Sequence, residues 1–452
     1  MNNEISGAAG RLSRAVTFAT VSTADPGETP FPKAFSHFED FLQASFPRVH
    51  QELLCEKPGN PGLLYTWTGS NPVLPPLILT AHYDVVPAED PDTWQYPPFS
   101  GEIVDGCIWG RGTIDDKASL MAILESVESL LAAGLKPQRV VYLCFGGDEE
   151  VAGTRGAARI ASELARRGVT NACLIDEGTA VVHNSIKLVQ QPVALIGTAE
   201  KGYLDVELVC SGSEGHASMP SRKTAVGSLA RALTRLQHRP FPARMLPCVA
   251  EFLCVLADAA PSILRPLLRR PRLFRHLLLK ALAADPKTDA MIRTTQAPTM
   301  LSGSGAPNVL PATARAVINL RLLPGDRIPP TIDRIRRIIN DPAVQVQALH
   351  AEGANEPVPE SPTDTPVYRA LQQCIAAVFP DALIAPYLVT STTDSKHYRE
   401  VTTAIYRFLP LRMGPNELSM IHARNERISI TDYLQMISFY SELIQTASQE
   451  II

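Results

Sequence analysis

The sequence predicts an α/β protein with a smaller α+β unit inserted into it. Three observations carry that expectation: the length, an alternation of short β-rich runs with helical patterns from about 75 to 180, and a change of pattern between about 199 and 353. A chain of 452 residues exceeds the roughly 100–200 residues typical of one domain, so two domains are expected.

In the first stretch, Leu77-Ile78-Leu79-Thr80 reads as a strand, 117–134 as a helix, Val140 to Phe145 as a strand, 154–168 as a helix and Ala172 to Ile175 as a strand. Strands and helices in alternation build a sheet covered by helices. Ligands in such sheets collect at the carboxyl ends of the strands. The second stretch reads as strand 203–210, helix 223–237, an apolar insertion with Arg and Pro at 240–300, strand 313–322, helix 330–340 and strand 344–350. That order describes a small α+β sandwich. After Glu360-Ser361-Pro362 the first unit resumes and closes with an amphipathic helix, 431–447. The expected organisation is therefore 1–198 with 354–452 as one domain and 199–353 as the insert.

Composition narrows the function classes. A hydrophobic content of 45%, a charged content of 19% and a formal net charge of −4 are ordinary for a globular protein and give no reason to expect nucleic acid as a partner. The cysteines at 55, 107, 144, 173, 210, 248, 254 and 374 form no CxxC pair and mostly lie in apolar runs, which reads as free thiols in a reducing compartment. Glu4 is acidic and no apolar signal-like region follows it, so a cytoplasmic protein is expected. The apolar stretch 245–283 is broken by Pro247, Pro261, Pro266 and Pro271, so no transmembrane helix is expected.

Chemistry-bearing residues fall in clusters that follow the expected strands. His82-Tyr83-Asp84 places a histidine and an acid two apart, on one face of an extended chain, where the carboxylate can fix which imidazole nitrogen faces a metal. Gly110 to Lys117 is a glycine-rich turn entering a helix. Asp115 there is either a helix cap or a carboxylate shared between two cations. Asp148-Glu149-Glu150 stacks acids that repel one another; a solvated loop would tolerate them, and a cation would neutralise them. Adjacent glutamates suit a division between metal ligand and general base. Asp176-Glu177 repeats the pattern, and His422 lies near the C-terminus in Met420 to Glu426. Each cluster has an ordinary reading alone; together they describe one mixed N/O centre suited to zinc, or to cobalt or manganese.

These segments, His82-Tyr83-Asp84, Gly110 to Lys117, Asp148-Glu149-Glu150, Asp176-Glu177-Gly178 and His422 to Glu426, resemble the dinuclear zinc peptidase family of carboxypeptidase S, aminoacylase and glutamate carboxypeptidase. Ile292-Arg293-Thr294-Thr295, Pro307 to Pro311 and Thr393-Asp394-Ser395 resemble its carboxypeptidase S and N-fatty-acyl-amino-acid hydrolase branch. The resemblance implies a zinc-peptidase α/β/α catalytic domain with a mixed sheet and an inserted ferredoxin-like lid or dimerisation domain, hence a possible homodimer. It implies two zinc ions, one on His82, Asp115 and an acid of the pair Asp176 and Glu177, the other on Asp115, Glu150 and His422. It makes Glu149 the general base, Asp84 the orienter of His82, and His216, in Gly215 to Pro220, the stabiliser of an oxyanion, often across subunits. Asn308, Arg321, Thr393, Asp394 and Ser395 resemble substrate-contacting positions, although Arg321 is equally an ordinary strand residue.

Many relatives place Gly where this chain has Ala423, so a left-handed backbone there would cost about 1 kcal/mol. The expected reaction is hydrolysis of an amide bond in N-acyl amino acids or small peptides with a free carboxylate. A dipeptidase or carboxypeptidase of the same family is one alternative, and a non-catalytic binding protein on this fold is another. The apolar side chains of 240–300 suit an acyl pocket, a lid core or a dimer face.

Overall fold

The computed structural model describes residues 2–23, 33–349 and 353–447. Leu77–His82, Val141–Gly146, Cys173–Asp176 and Val193–Glu200 are buried along their whole lengths, as strands must be when both faces of a sheet are covered. The first two pair in parallel, Cys173–Asp176 adds beside Leu77–His82, and Ala404–Arg407 adds beside Cys173–Asp176, also in parallel. Antiparallel Gly62–Trp67 and Leu54–Gly59 extend one side. Val193–Glu200, with Leu383–Val389 in parallel, lies on the other. The result is a mixed sheet of ten strands.

Alternation along the strands sends neighbouring side chains to opposite faces. Leu77, Leu79, Val141, Leu143 and Phe145 pack beneath helices Lys117–Ala132, Pro366–Val378 and Ile430–Ala447. Ile78, Tyr142 and Cys144 face the other way, against Ile160 and Leu164 of helix Ala157–Arg166.

The insert has its own sheet, in the order Thr295–Ser302, Thr313–Leu322, Gly202–Ser211, Val344–Leu349, antiparallel throughout. Helices Ala225–Gln237 and Ile328–Ile339 pack on it over a separate core of Leu204, Leu229, Ile318 and Ile335. The chain runs β-α-β-β-α-β, the ferredoxin-like order. The crossing from the large sheet falls at Lys201, between Val193–Glu200 and Gly202–Ser211, slightly beyond the expected boundary. Bridges Tyr203↔Asn355 and Glu200↔Val358 bring the chain back.

The apolar side chains of 240–300 divide between different surroundings. Phe252, Leu253, Leu256, Leu268 and Leu278 form one core with Val193, Leu195, Ala385 and Leu388 of the large sheet, and Phe252 meets Tyr387 edge-on at 5.6 Å. These residues cover one end of the large sheet, and the insertion ends in the edge strand Thr295–Ser302. Phe241 packs instead in the core of the ferredoxin-like unit, and Met245 lines a cleft. All eight cysteines are free thiols. Among the described residues no helix is long and apolar enough to cross a membrane.

Candidate metal centre

His82 ends its strand, Asp148-Glu149-Glu150 follow Val141–Gly146, and Asp176-Glu177 close Cys173–Asp176. The parallel register sets His82 opposite Gly146, so three clusters meet at one edge of the sheet. Asp115 enters from the turn before helix Lys117–Ala132, and His422 from the loop before the last strand and helix.

The carboxylate of Asp115 lies between two groups. Its Oδ1 is 2.9 Å from Nε2 of His82, which is also 3.7 Å from Oε1 of Glu177. Its Oδ2 is 3.2 Å from Nε2 of His422, which is also 3.2 Å from Oε2 of Glu150. His82, Asp115 and Glu177 form one cluster able to hold a cation, and Asp115, Glu150 and His422 another; His82, Glu149 and Glu150 also come together. A tetrahedral zinc with ligands at about 2.0–2.1 Å sets neighbouring ligand atoms roughly 3.3 Å apart, close to these separations, so the residues fit two such ions.

Electrostatics points the same way. Burial pushes Glu149 up to about 8, with Glu150 and Asp115 adding to it against His82 and Lys396. Burial likewise drives Glu177 well above the ordinary carboxyl range, with Asp115 and Asp116 adding to it. Burial works against charge at His82, yet contacts with Asp115 and Asp84 carry the imidazole well above its usual value. Bonds to Asp115 and Glu150 raise His422 to about 10. Among the described residues, Oε1 of Glu150 is buried without a hydrogen-bond partner. Such a concentration of sheltered acids is what a divalent cation relieves.

The acids of the fourth cluster have separate surroundings. Asp176 accepts hydrogen bonds from the Thr80 hydroxyl at 2.6 Å and from the Ser395 N–H at 3.0 Å, so both of its oxygens are engaged inside the sheet. Glu177 alone of the pair points into a cluster. Asp176 is the last residue of its strand, and Glu177 lies beyond it.

Asp84 is fully buried and holds more than His82. Oδ1 and Oδ2 accept the backbone N–H groups of Glu149 and Glu150, each at 3.1 Å, and Oδ2 also takes the Ser22 hydroxyl at 2.7 Å. Nδ1 of His82 lies 3.1 Å from the Asp84 carbonyl oxygen and 3.3 Å from Oδ1.

Glu426 and Arg111, quoted above only as members of their segments, tie two ligand loops together. Oε1 of buried Glu426 accepts the N–H groups of Gly112, Ile114 and Asp115, and Oε2 takes Nη1 of Arg111 at 2.7 Å. Nη2 of Arg111 reaches the His422 carbonyl at 3.3 Å. Only the pairing of a buried-looking Arg with an acid far along the chain could have signalled this. Ala423 is not left-handed; His422 itself adopts φ 59° and Asn425 φ 63°. The penalty expected at Ala423 therefore does not arise.

The remaining expected residues are members of none of these clusters. His216 is exposed on a two-stranded ribbon of Gly215–His216 with Val309–Leu310, its Nδ1 bonded to the Ser218 hydroxyl at 2.8 Å. Asn308 is also exposed, and its backbone carbonyl accepts the Ala217 N–H at 3.0 Å beside that ribbon. Arg321 stacks over Tyr203 at 4.7 Å. Thr393, Asp394 and Ser395 are 2%, 5% and 0% exposed. Thr393 donates to Glu200 at 3.1 Å and Ser395 to Asp176, so the loop braces the strand end that carries Glu177. A cleft of about 460 Å³ opens beside His422, lined by Val86, Trp94, Arg111 and Arg424 among others.

A sheet whose strand ends gather paired histidine and carboxylate clusters around one shared aspartate defines a metal-dependent hydrolase of peptidase type. Residues 78–446 match the model of peptidase family M20/M25/M40, and the chain belongs to that family. It is 37% identical to probable carboxypeptidase S-like 2 of Dictyostelium discoideum, over 97% of this chain and 85% of that protein. It is 39% identical to the N-fatty-acyl-amino acid synthase/hydrolase PM20D1 of Homo sapiens, over 97% of this chain and 87% of that protein. Among solved structures it resembles the M20 family metallo-carboxypeptidase Sso-CP2 from Sulfolobus solfataricus, with a TM-score of 0.69 and 20% identity over 99% of this chain and 100% of that one.

Proposed function

We propose that this enzyme hydrolyses the amide bond of N-acyl amino acids or of small peptides with a free C-terminal carboxylate. The observation that carries this reading is the placement of Glu149 beside two clusters that share Asp115. The names of the carboxypeptidase S-like and N-fatty-acyl-amino acid hydrolase relatives support the substrate class.

His82, Asp115 and Glu177 would hold one zinc, and Asp115, Glu150 and His422 the second; cobalt or manganese suits the same donors. Ions held there would supply Lewis-acid polarisation of an amide carbonyl and a lowered water pKa. Glu149 moves the proton: its carboxylate takes one from the attacking water and delivers it to the departing amine nitrogen. Asp84 engages Nδ1 of His82, which turns Nε2 toward the centre.

His216 is assigned to the substrate oxyanion. Its Nδ1 is occupied by Ser218, which leaves Nε2 as the donor, and it reaches the centre by closure of the insert or from a second subunit. Asn308, beside the same ribbon, is assigned to the substrate carbonyl, and Arg321 to the free carboxylate, whose planar charge a guanidinium matches. The exposed edge strand Thr295–Ser302, with Met300 and Leu301 outward, supports a homodimer formed through the insert. The eight free thiols support a reducing, cytoplasmic setting.

The test is a hydrolysis screen of N-acyl amino acids against dipeptides with zinc, cobalt or manganese added. Release of free amino acid from acylated substrates is expected. Cleavage of dipeptides alone would sink the acyl reading, and a metal-loaded protein inert on the whole panel would make it a binding protein.

A further inference from the structure

The 240–300 insertion has two faces of opposite character. The inner one buries Leu268 and Leu278 against the large sheet. The outer one exposes Arg265, Arg269, Arg270, Arg272, Arg275 and Lys280. Between these cations, Ile263 is 86% exposed, Leu273 69%, Leu277 57% and Phe274 37%. Asp258 pairs with Arg269, while among the described residues no ion pair engages Arg270, Arg272, Arg275 or Lys280. In a chain of net charge −4 this is a local cationic patch, and exposed apolar side chains clustered in one place mark an interaction surface.

The combination selects the partner. A dissolved polyanion such as RNA uses the cations but gains nothing from projecting leucines, and an apolar protein groove has no need of the cations. Cations interleaved with exposed Leu, Ile and Phe match the boundary between anionic headgroups and acyl chains. An adjacent cleft of about 630 Å³ repeats the pattern, lined by Arg272, Arg275 and His276 together with Met245, Leu246 and Leu279.

We propose that the outer face of segment 263–280 docks the enzyme on an anionic lipid surface. The arginines and Lys280 meet the headgroup phosphates, and Ile263, Leu273, Phe274 and Leu277 enter the acyl boundary. Attachment is peripheral, and it stands whichever amide the metal centre cleaves.

The test is co-sedimentation of the full-length, metal-loaded enzyme with vesicles of phosphatidylcholine alone and with phosphatidylglycerol added. The expected result is binding to the anionic vesicles at least about tenfold tighter than to the neutral ones, weakened by salt, since each surface cation is worth roughly fivefold. Arg270→Glu with Arg272→Glu and Arg275→Glu should reduce that binding at least about tenfold. Leu273→Ser with Leu277→Ser should reduce it by a similar factor, each set leaving thermal stability and turnover of a soluble substrate unchanged. Equal affinity for both vesicles, or no binding to either, would overturn the proposal. So would unchanged vesicle binding by the Leu→Ser variant together with undiminished competition from an RNA oligonucleotide, which would make the patch a polyanion site.

Discussion

Oδ1 of Asp84 accepts the backbone N–H of Glu149 at 3.1 Å and lies 3.3 Å from Nδ1 of His82. One carboxylate thus fixes both a ligand ring and the backbone of the base. In Asp84→Asn an amide N–H₂ must face one of the donors that Asp84 now receives, from Glu149, Glu150, Ser22 or His82. Metal affinity should fall about 10–100-fold, as measured by titration against a metal buffer, with turnover falling alongside. Unchanged affinity would show that Asp84 does not organise the centre.

Glu149→Gln keeps the shape of the side chain and removes its capacity to carry a proton. Turnover should fall about 10²–10⁴-fold, the usual range for losing a general base, while elemental analysis finds the wild-type metal content. Activity within tenfold of wild type would remove Glu149 from the role of base.

Glu426→Gln places an amide donor among N–H groups of Gly112, Ile114 and Asp115 and leaves the Arg111 guanidinium without its charged partner. Breaking a buried pair in this way costs about 3–5 kcal/mol. Urea unfolding with metal at a fixed saturating concentration reads the loss. A change below 1 kcal/mol would mean the two ligand loops are held together by other contacts.

Ala423→Gly separates two accounts of the His422 loop. With the left-handed residues at His422 and Asn425, glycine at 423 relieves nothing and loosens the unfolded chain, so stability should fall by about 0.4–1 kcal/mol. A gain in stability would place the strain at Ala423.

Much of the architecture was legible because apolar strands and chemistry alternate along the chain. Leu77 to His82, Val141 to Gly146 and Cys173 to Asp176 announce themselves as buried runs that end in ligand-type residues, and three strands and two helices of the insert follow from its periodicities, whereas its edge strand Thr295–Ser302 lies inside the stretch that reads as an apolar insertion. Features made by distant residues were hidden. Glu426 closes on Gly112 from 314 positions away, and Ser22 meets Asp84 across 62. Composition could not say which surface the leucines of 240–300 would cover, because burial against Val193 and Leu388 depends on tertiary contact. The choice between Asp176 and Glu177 was hidden as well, because it rests on the Thr80 hydroxyl and the Ser395 N–H that occupy Asp176.

The central claim is two cations sharing Asp115. Anomalous diffraction at the zinc edge from metal-loaded crystals tests it most directly. The account predicts two peaks, one between Asp115, His82 and Glu177 and the other between Asp115, Glu150 and His422. A single peak, or one ligated by Asp176 in place of Glu177, would contradict it.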